Sequence, residues 1–463
     1  MRFAVTAVVL VSLLATGLSS VGLGQSADRR SGSPFSSGRE ATSEVTRVVA
    51  TYCAGCHNGE MRSPSGELLD RFDPARIAAD PDTWSRAYRQ LQAGTMPPVG
   101  ASRPERAAAD AALAGIEVAL GATTAPPVDG GSQQIAERLA LLLWNSAPDA
   151  ELRREAERNR LTESAALERQ VRRMLEDDRA RAFVARFFFP WLGLDRLADA
   201  DPDKAAFPGF TASLRDSMTT ETELFLLSQL REDRDPVELW SADYTFLDEQ
   251  LARHYGVTNV AGARFRRVPV PGPERTGLLG QASIHMVTSR HRQGDPGYTS
   301  PASRSMWVRL HFLGAPAPRP FPGAQPVKPE LPITPQTRTL PVQPCVACHR
   351  NFFPLGYALE NFDPIGRWRT RDQAGPVDAS GALVDGTPAN GVVQLRQALL
   401  QRPDAFRTTI VEKLLVHASG RAVAKWPVSQ ESLIRARQVL HGVDSPRWSS
   451  LIASVVRSKP LAE

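Results

Sequence analysis

The sequence predicts a mainly α-helical chain built from several domains. Apolar residues recur three and four apart through most of its length, and breaks rich in proline and glycine separate those runs. Only two short stretches, 264–270 and 377–386, alternate or carry turn residues in a way that suggests strand, the second as a small β-hairpin. Some 440 residues beyond a leader exceed one ordinary core, so two to four domains are expected.

The leader reads as a cleavable signal peptide over residues 1–24. Arg2 gives a basic start, Ala4 to Leu14 is apolar, and small residues lead to a cleavage point before Gln25. The apolar run is too short, and too soon broken by Gly17 and Ser19, for a confident membrane span. Export to the periplasm or beyond is expected, with no integral span once the signal is removed. Residues 25–41 are rich in Ser, Gly and Arg and read as a disordered lead.

From Thr42 the pattern turns helical. Val45, Val48, Val49 and Tyr52 share one face and lead into Cys53-Ala54-Gly55-Cys56-His57. Cys345-Val346-Ala347-Cys348-His349 repeats that C-x-x-C-H run, and the two runs use all four cysteines of the chain. This is the attachment signature of c-type haem: two thiols can reach the two vinyl groups at one porphyrin edge, and the adjacent imidazole ligates iron. Two covalently bound haem c groups are therefore expected, held by Cys53 and Cys56 and by Cys345 and Cys348, with His57 and His349 as proximal ligands. Haem of this kind is attached outside the cytoplasm in bacteria, in agreement with the leader. A Cys/His zinc site is the alternative, but neither run has further paired ligands close by; two small disulfides are another.

After the first run, a polar stretch leads to Gly94-Thr95-Met96-Pro97-Pro98, and a helix is expected from Pro104 to Leu120 with Gly115 small enough for a close crossing. Helix, C-x-x-C-H, loop, G-x-M-P-P and helix form the layout of a class I cytochrome c domain over 42–121. Met96 is the candidate sixth ligand of the first haem, on a loop stiffened by proline. Its rival Met61 lies only four residues beyond His57, too close to pass round the ring edge.

A linker over 121–131 precedes a central helical domain, 132–313. Helices are expected at 133–145, 162–176, 178–189, 209–231, 246–255, 276–287 and 301–312. The aromatic run Phe187 to Leu192 reads as core, whereas Asp216, Glu221 and Glu223 read as a solvated helix face. Residues 314–344 hold ten prolines and read as an extended connector. The second c-type haem domain follows over 345–463, closing on helices at 392–401, 404–418, 428–440 and 446–458.

No methionine follows Met306, so the second haem cannot take a downstream thioether. His417 is one candidate sixth ligand, and His285, Met286, His291 or Met306 are others. An open site is the remaining reading, with Glu360 and Asp363 as proton donors and Arg367 or Arg369 as charge stabilisers. The alternative role for these acids and arginines is to pair with one another or with propionates. His254, His311 and His441 read as structural.

Two functions fit. One is a di-haem cytochrome carrying out periplasmic electron transfer with a redox partner protein. The other is a di-haem redox enzyme, peroxidase- or oxygenase-like, with the first haem feeding a reactive second one. No basic stretch is interleaved with stacking aromatics, so nucleic acid is not implied, and no G-x-S-x-G, Walker or H-E-x-x-H word occurs.

With these words in view, the N-terminal part resembles the planctomycete-type cytochrome c module through CAGCH and GTMPP. Residues 134–463 resemble the tandem domain-of-unknown-function families numbered 1595, 1592, 1588 and 1585. The matching words include IAERLALLLWNSAPDAEL, RRMLEDDRARAFVARFFFPWLGLDRL, TSPASRSMWV, CVACHRNFFPLGYALENFDPIGRWR and IVEKLLVHASGR. The resemblance implies an exported, haem-bearing protein and names no substrate. The chain departs from the family at His417, where members tend to carry Tyr. It departs again at Arg304-Ser305-Met306-Trp307, which replaces a usual Arg-Gly-Lys-Trp.

Overall fold

Side-chain caps and prolines explain where most helices begin. In the computed structural model, which describes residues 38–60, 69, 72–98, 100–126, 128–289, 299–315, 353–372, 375–424 and 429–462, the chain is mainly helical. Helix α1 spans Gly38–Tyr52, so it starts inside the expected disordered lead. Helix α2, Pro81–Gln92, was not expected: Asp80 accepts from the Thr83 amide as N-cap and Pro81 opens the first turn. Helix α3 is Arg106–Ala119. These three share a small core of Val45, Val48, Val49, Trp84, Tyr88, Ala112 and Ile116, completed by Leu433 from the C-terminal region. α1 packs directly on α3, where Gly115 is buried.

The central region runs through α4 Ser132–Trp144, α5 Ala150–Glu157 and α6 Ser164–Glu176. The helix expected at 178–189 is broken. A 3₁₀ turn at Asp178–Ala180 leads through a single helical turn to a π-helical stretch, Val184–Phe188, ahead of Phe189–Leu192. Pro190 cannot donate to the Arg186 carbonyl, and the widened turn absorbs the missing bond. Phe183, Phe187, Phe188 and Trp191 are fully buried here, as core.

Helix α7, Ala212–Arg231, is capped by Thr211, and α8, Glu249–Tyr255, by Asp248. Between them and after them, β1 Tyr244–Leu247 pairs antiparallel with β2 Arg266–Pro269, with Tyr244 opposite Pro269. Helices α9 Ala282–Thr288 and α10 Pro301–His311 complete this part. In the C-terminal region a second hairpin pairs β3 Arg371–Asp372 with β4 Gly375–Pro376, just ahead of the expected 377–386, where only an isolated Ala382–Pro388 bridge forms. Four helices then close the chain: α11 Gly391–Leu400, α12 Pro403–Ala418, α13 Gln430–His441 and α14 Trp448–Arg457.

One continuous core joins the central and C-terminal regions, with Trp191, Trp240, Phe312, Phe406 and Trp448 at its centre. Residues 1–24, expected as a signal peptide, those beyond Ala315 expected as a connector, Met61, His291 and the run Cys345, Cys348 and His349 all lie outside the described residues. Among the described residues no helix is long and apolar enough to cross a membrane.

Candidate functional site

The first C-x-x-C-H run forms one tight turn at the end of α1. The Cys53 and Ala54 amides donate to the Val49 carbonyl at 3.0 and 2.9 Å, and the Cys56 and His57 amides donate to Cys53 O at 3.1 and 3.0 Å. Asn58 ties the turn from outside, its amide reaching the Ala54 and Gly55 carbonyls at 3.0 Å. Cys53 packs against the small core while Cys56 is exposed, and neither is in a disulfide. Burial, aided by Cys56, pushes the Cys53 thiol up to about 11, so it is no ready thiolate nucleophile. His57 is half-buried next to them.

Met96 sits on the loop from α2 to α3. The Thr95 and Met96 amides both donate to the Gln90 carbonyl, at 2.8 and 3.2 Å, and Thr95 Oγ1 adds a third bond to it at 3.0 Å. The Met96–Pro97 bond is cis. The thioether side chain is 40% exposed, one of the few large apolar groups left open to solvent.

Two free thiols in one turn, an imidazole beside them and an open thioether suit a covalently attached haem. Among the described residues no three His, Cys, Asp or Glu side chains gather into a metal-holding group.

The module is joined to the C-terminal region by buried polar groups. Arg89 Nη1 lies 2.6 Å from the Glu412 carboxylate, and Arg89 Nη2 donates to Ser429 O at 3.1 Å. Glu117 accepts from Tyr88, from His441 Nε2 at 2.7 Å and faces Arg437 Nε at 2.9 Å. Burial raises Glu117, but the bond from His441 and the Arg437 charge outweigh it and leave the carboxyl below its usual range. His441 is thus structural, as expected. None of Arg89, Glu117, Glu412 and Arg437 was singled out from the sequence. A signal was present, since Glu117 and Glu412 each interrupt an apolar helical run, in AGIEVAL and TIVEKLLV.

In the flank of the second run, the acids and arginines are paired. Arg304 is fully buried and donates to Leu359 O at 2.7 Å, to Glu360 at 3.0 Å and to Phe362 O at 2.9 Å. Glu360 also accepts from Thr299 and lies 3.6 Å from Arg369. Asp363 takes Arg367 Nε at 2.9 Å and the Ile365 and Arg367 amides at 3.0 and 2.8 Å. Gly366, at φ 73°, closes the turn so tightly on Ala282 that a Cβ there would collide with its backbone.

The candidate sixth ligands differ in how committed they are. His285 is buried in the core, stacked on Phe362 at 3.9 Å with Nε2 on Leu279 O at 2.9 Å. Met286 is buried and Met306 half-buried. His417 is half-buried at the end of α12 against Phe183 and Phe187, with ring centroids 6.0 and 5.4 Å away. Burial pulls it down to about 4, which leaves the imidazole neutral and able to ligate. His254 bonds Ile365 O at 2.8 Å, and His311 is wedged between Trp191 and Trp307.

Glu221 corrects an expectation. It is fully buried, not on a solvated face, and accepts from Thr245 and Tyr255 at 2.6 Å each. Asp216 is exposed and Glu223 half-buried, so the helix turns between them and carries Glu221 inward.

No curated protein and no solved structure matches the chain. Three family profiles match in tandem. Residues 131–257 match a protein of unknown function, DUF1592, residues 275–372 match DUF1588, and residues 385–461 match DUF1585. The chain thus carries, in this order, three segments similar to the DUF1592, DUF1588 and DUF1585 families.

Proposed function

We propose that the chain is an exported di-haem c-type cytochrome that carries single electrons between periplasmic partners. A bound haem supplies a one-electron iron couple, which no side chain here offers by itself. Cys53 and Cys56 anchor the first group, and Cys345 and Cys348 the second, with His57 and His349 ligating. Met96 completes the first site from a loop that the Gln90 carbonyl staples in place. The observation that supports the reading is a two-thiol, one-imidazole turn at the end of α1 and an exposed thioether on the loop after α2, two helices that share one small core.

The enzyme reading drew on Glu360 and Asp363 as proton donors. Both are spent on arginines, hydroxyl or backbone partners, which favours electron transfer. The class I cytochrome c layout for residues 42–121, and membership of the 1595 family at its C-terminal side, belong to this proposal as well.

The test is maturation of the full chain with a c-type haem attachment system, followed by intact mass and the pyridine haemochrome spectrum. The reading expects a mass increment of two haems, and of one in Cys53→Ser/Cys56→Ser. Colourless exported protein with the mass of bare polypeptide overturns it. Ferric electron paramagnetic resonance then separates the two functions: wholly low-spin iron that ignores cyanide favours electron transfer, and a high-spin, cyanide-binding signal favours the enzyme.

A further inference from the structure

We propose that Arg402, on the C-terminal side of the molecule, is a positioning residue for the Met96 loop, so that the sixth ligand of the first haem is set in place across a domain boundary. The inference rests on the reading of Met96 as that ligand. Two carbonyls precede Thr95 and Met96 in the loop, and each is held by a guanidinium. Arg402 Nη1 donates to Ala93 O at 3.0 Å, and Arg103 Nη1 donates to Gly94 O at 3.0 Å.

Both guanidiniums are anchored on one C-terminal segment. Arg402 Nη2 pairs with Asp385, whose side chain is only 12% exposed, and Arg103 Nη2 reaches Val384 O at 3.3 Å. Arg106, at the start of α3, adds a bond to Gln401 O at 2.6 Å. Gly94 is in the left-handed region at φ 66°, and a Cβ there would run into the Arg402 guanidinium. The loop backbone is thus shaped to lie flat on Arg402. Within its own module the loop is held by the bonds to Gln90 and by Arg103 on Gly94 O, so release of Arg402 removes the one side-chain clamp on Ala93 O and loosens the approach to Met96 without freeing it.

A thioether is a weak, neutral ligand, and an added base competes with it. The apparent affinity of that competitor rises in proportion to the fraction of loops that no longer present sulfur. Removal of one charge-assisted bond from the loop should shift that balance about tenfold.

The experiment titrates imidazole into full-length protein matured with both haems and follows the sulfur-to-iron charge-transfer band. Met96→Ala assigns the band by abolishing it. Arg402→Ala is expected to keep the band but lose it at about tenfold less imidazole, and Asp385→Asn about threefold less. Arg407→Ala, on the helix that Arg402 precedes, breaks an ion pair with Asp235 that makes no bond to the loop, and should titrate as the parent does. Parent-like titration of Arg402→Ala overturns the positioning role while leaving Met96 as ligand. A band that survives Met96→Ala overturns both. Should Arg402→Ala fail to mature, Asp385→Asn decides: a parent-like curve there counts against the inference.

Discussion

Arg89→Met should destabilise the protein strongly, because it breaks a buried ion pair from one side. The Arg89 side chain is 10% exposed and Glu412 only 1%, and their groups meet at 2.6 Å. Glu412 otherwise has Ser432 Oγ at 3.2 Å. Methionine keeps most of the stem's packing, so the loss is chiefly electrostatic: a carboxylate stays buried with one hydroxyl donor. Breaking a buried pair from one side costs roughly 3–5 kcal/mol. Glu412→Gln made on top removes the stranded charge and should recover about 2 kcal/mol or more, giving a coupling of that size in a double-mutant cycle. Urea unfolding at fixed pH measures all four variants. Because Arg89 lies on α2 and Glu412 on α12, the same series reports whether the N-terminal module unfolds with the rest. An Arg89→Met cost below about 1 kcal/mol, or strictly additive effects, would refute the view that this pair holds the module in place.

Two other outcomes follow from buried polar groups. Burial lowers His254 to about 4 and His311 to about 3, and holds His285 well below 6.5. Since the unfolded chain takes up these protons first, stability is complete above pH 6.5 and falls by ~1.4 kcal/mol per pH unit per histidine as the pH drops towards 4. Glu221, raised to about 7 by burial, acts in the opposite sense and loses its contribution as pH rises from 4.5 through 7. His417, also lowered to about 4, acts with the three histidines, so four groups outweigh one and the melting temperature should fall steadily from pH 7 to pH 5; a flat or rising trend contradicts the assignment. Arg304→Lys should cost roughly 3–5 kcal/mol, because an ammonium cannot reach the carbonyls of Leu359 and Phe362 together with Glu360 and leaves buried acceptors unmet. Thermal unfolding checks it, and a shift of under 2 °C would show that the clasp is dispensable.

Local order was legible in the residues. Apolar spacing located α1, α4, α6, α7 and α10 to α14 closely, although α12 buries every residue from Thr408 to Val416 and so lies inside the core on all its faces. The two C-x-x-C-H runs and the Met96 segment are short-range words, visible in the residues because their spacing depends only on neighbours in the chain. α2 was missed because its stripe is sparse, Trp84, Tyr88 and Leu91 among polar residues, and its start is signalled only by Asp80 and Pro81. The break at Val184–Phe188 was missed because an apolar run conceals a change in hydrogen-bond register.

What only the tertiary structure decided is which charges face which. Glu221 and Glu223 are two residues apart on one helix, yet one is sealed in the core and the other reaches water, because α8 and β1 cover a single side. Arg89 and Glu412, like Arg402 and the Gly94 loop, stand some three hundred residues apart in the chain. Periodicity reports how a helix meets its own core, but a long-range ion pair arises from the packing of two finished surfaces. Sequence alone thus determined the C-x-x-C-H words and the helical class, and packing determined that the Met96 module is built into the C-terminal region.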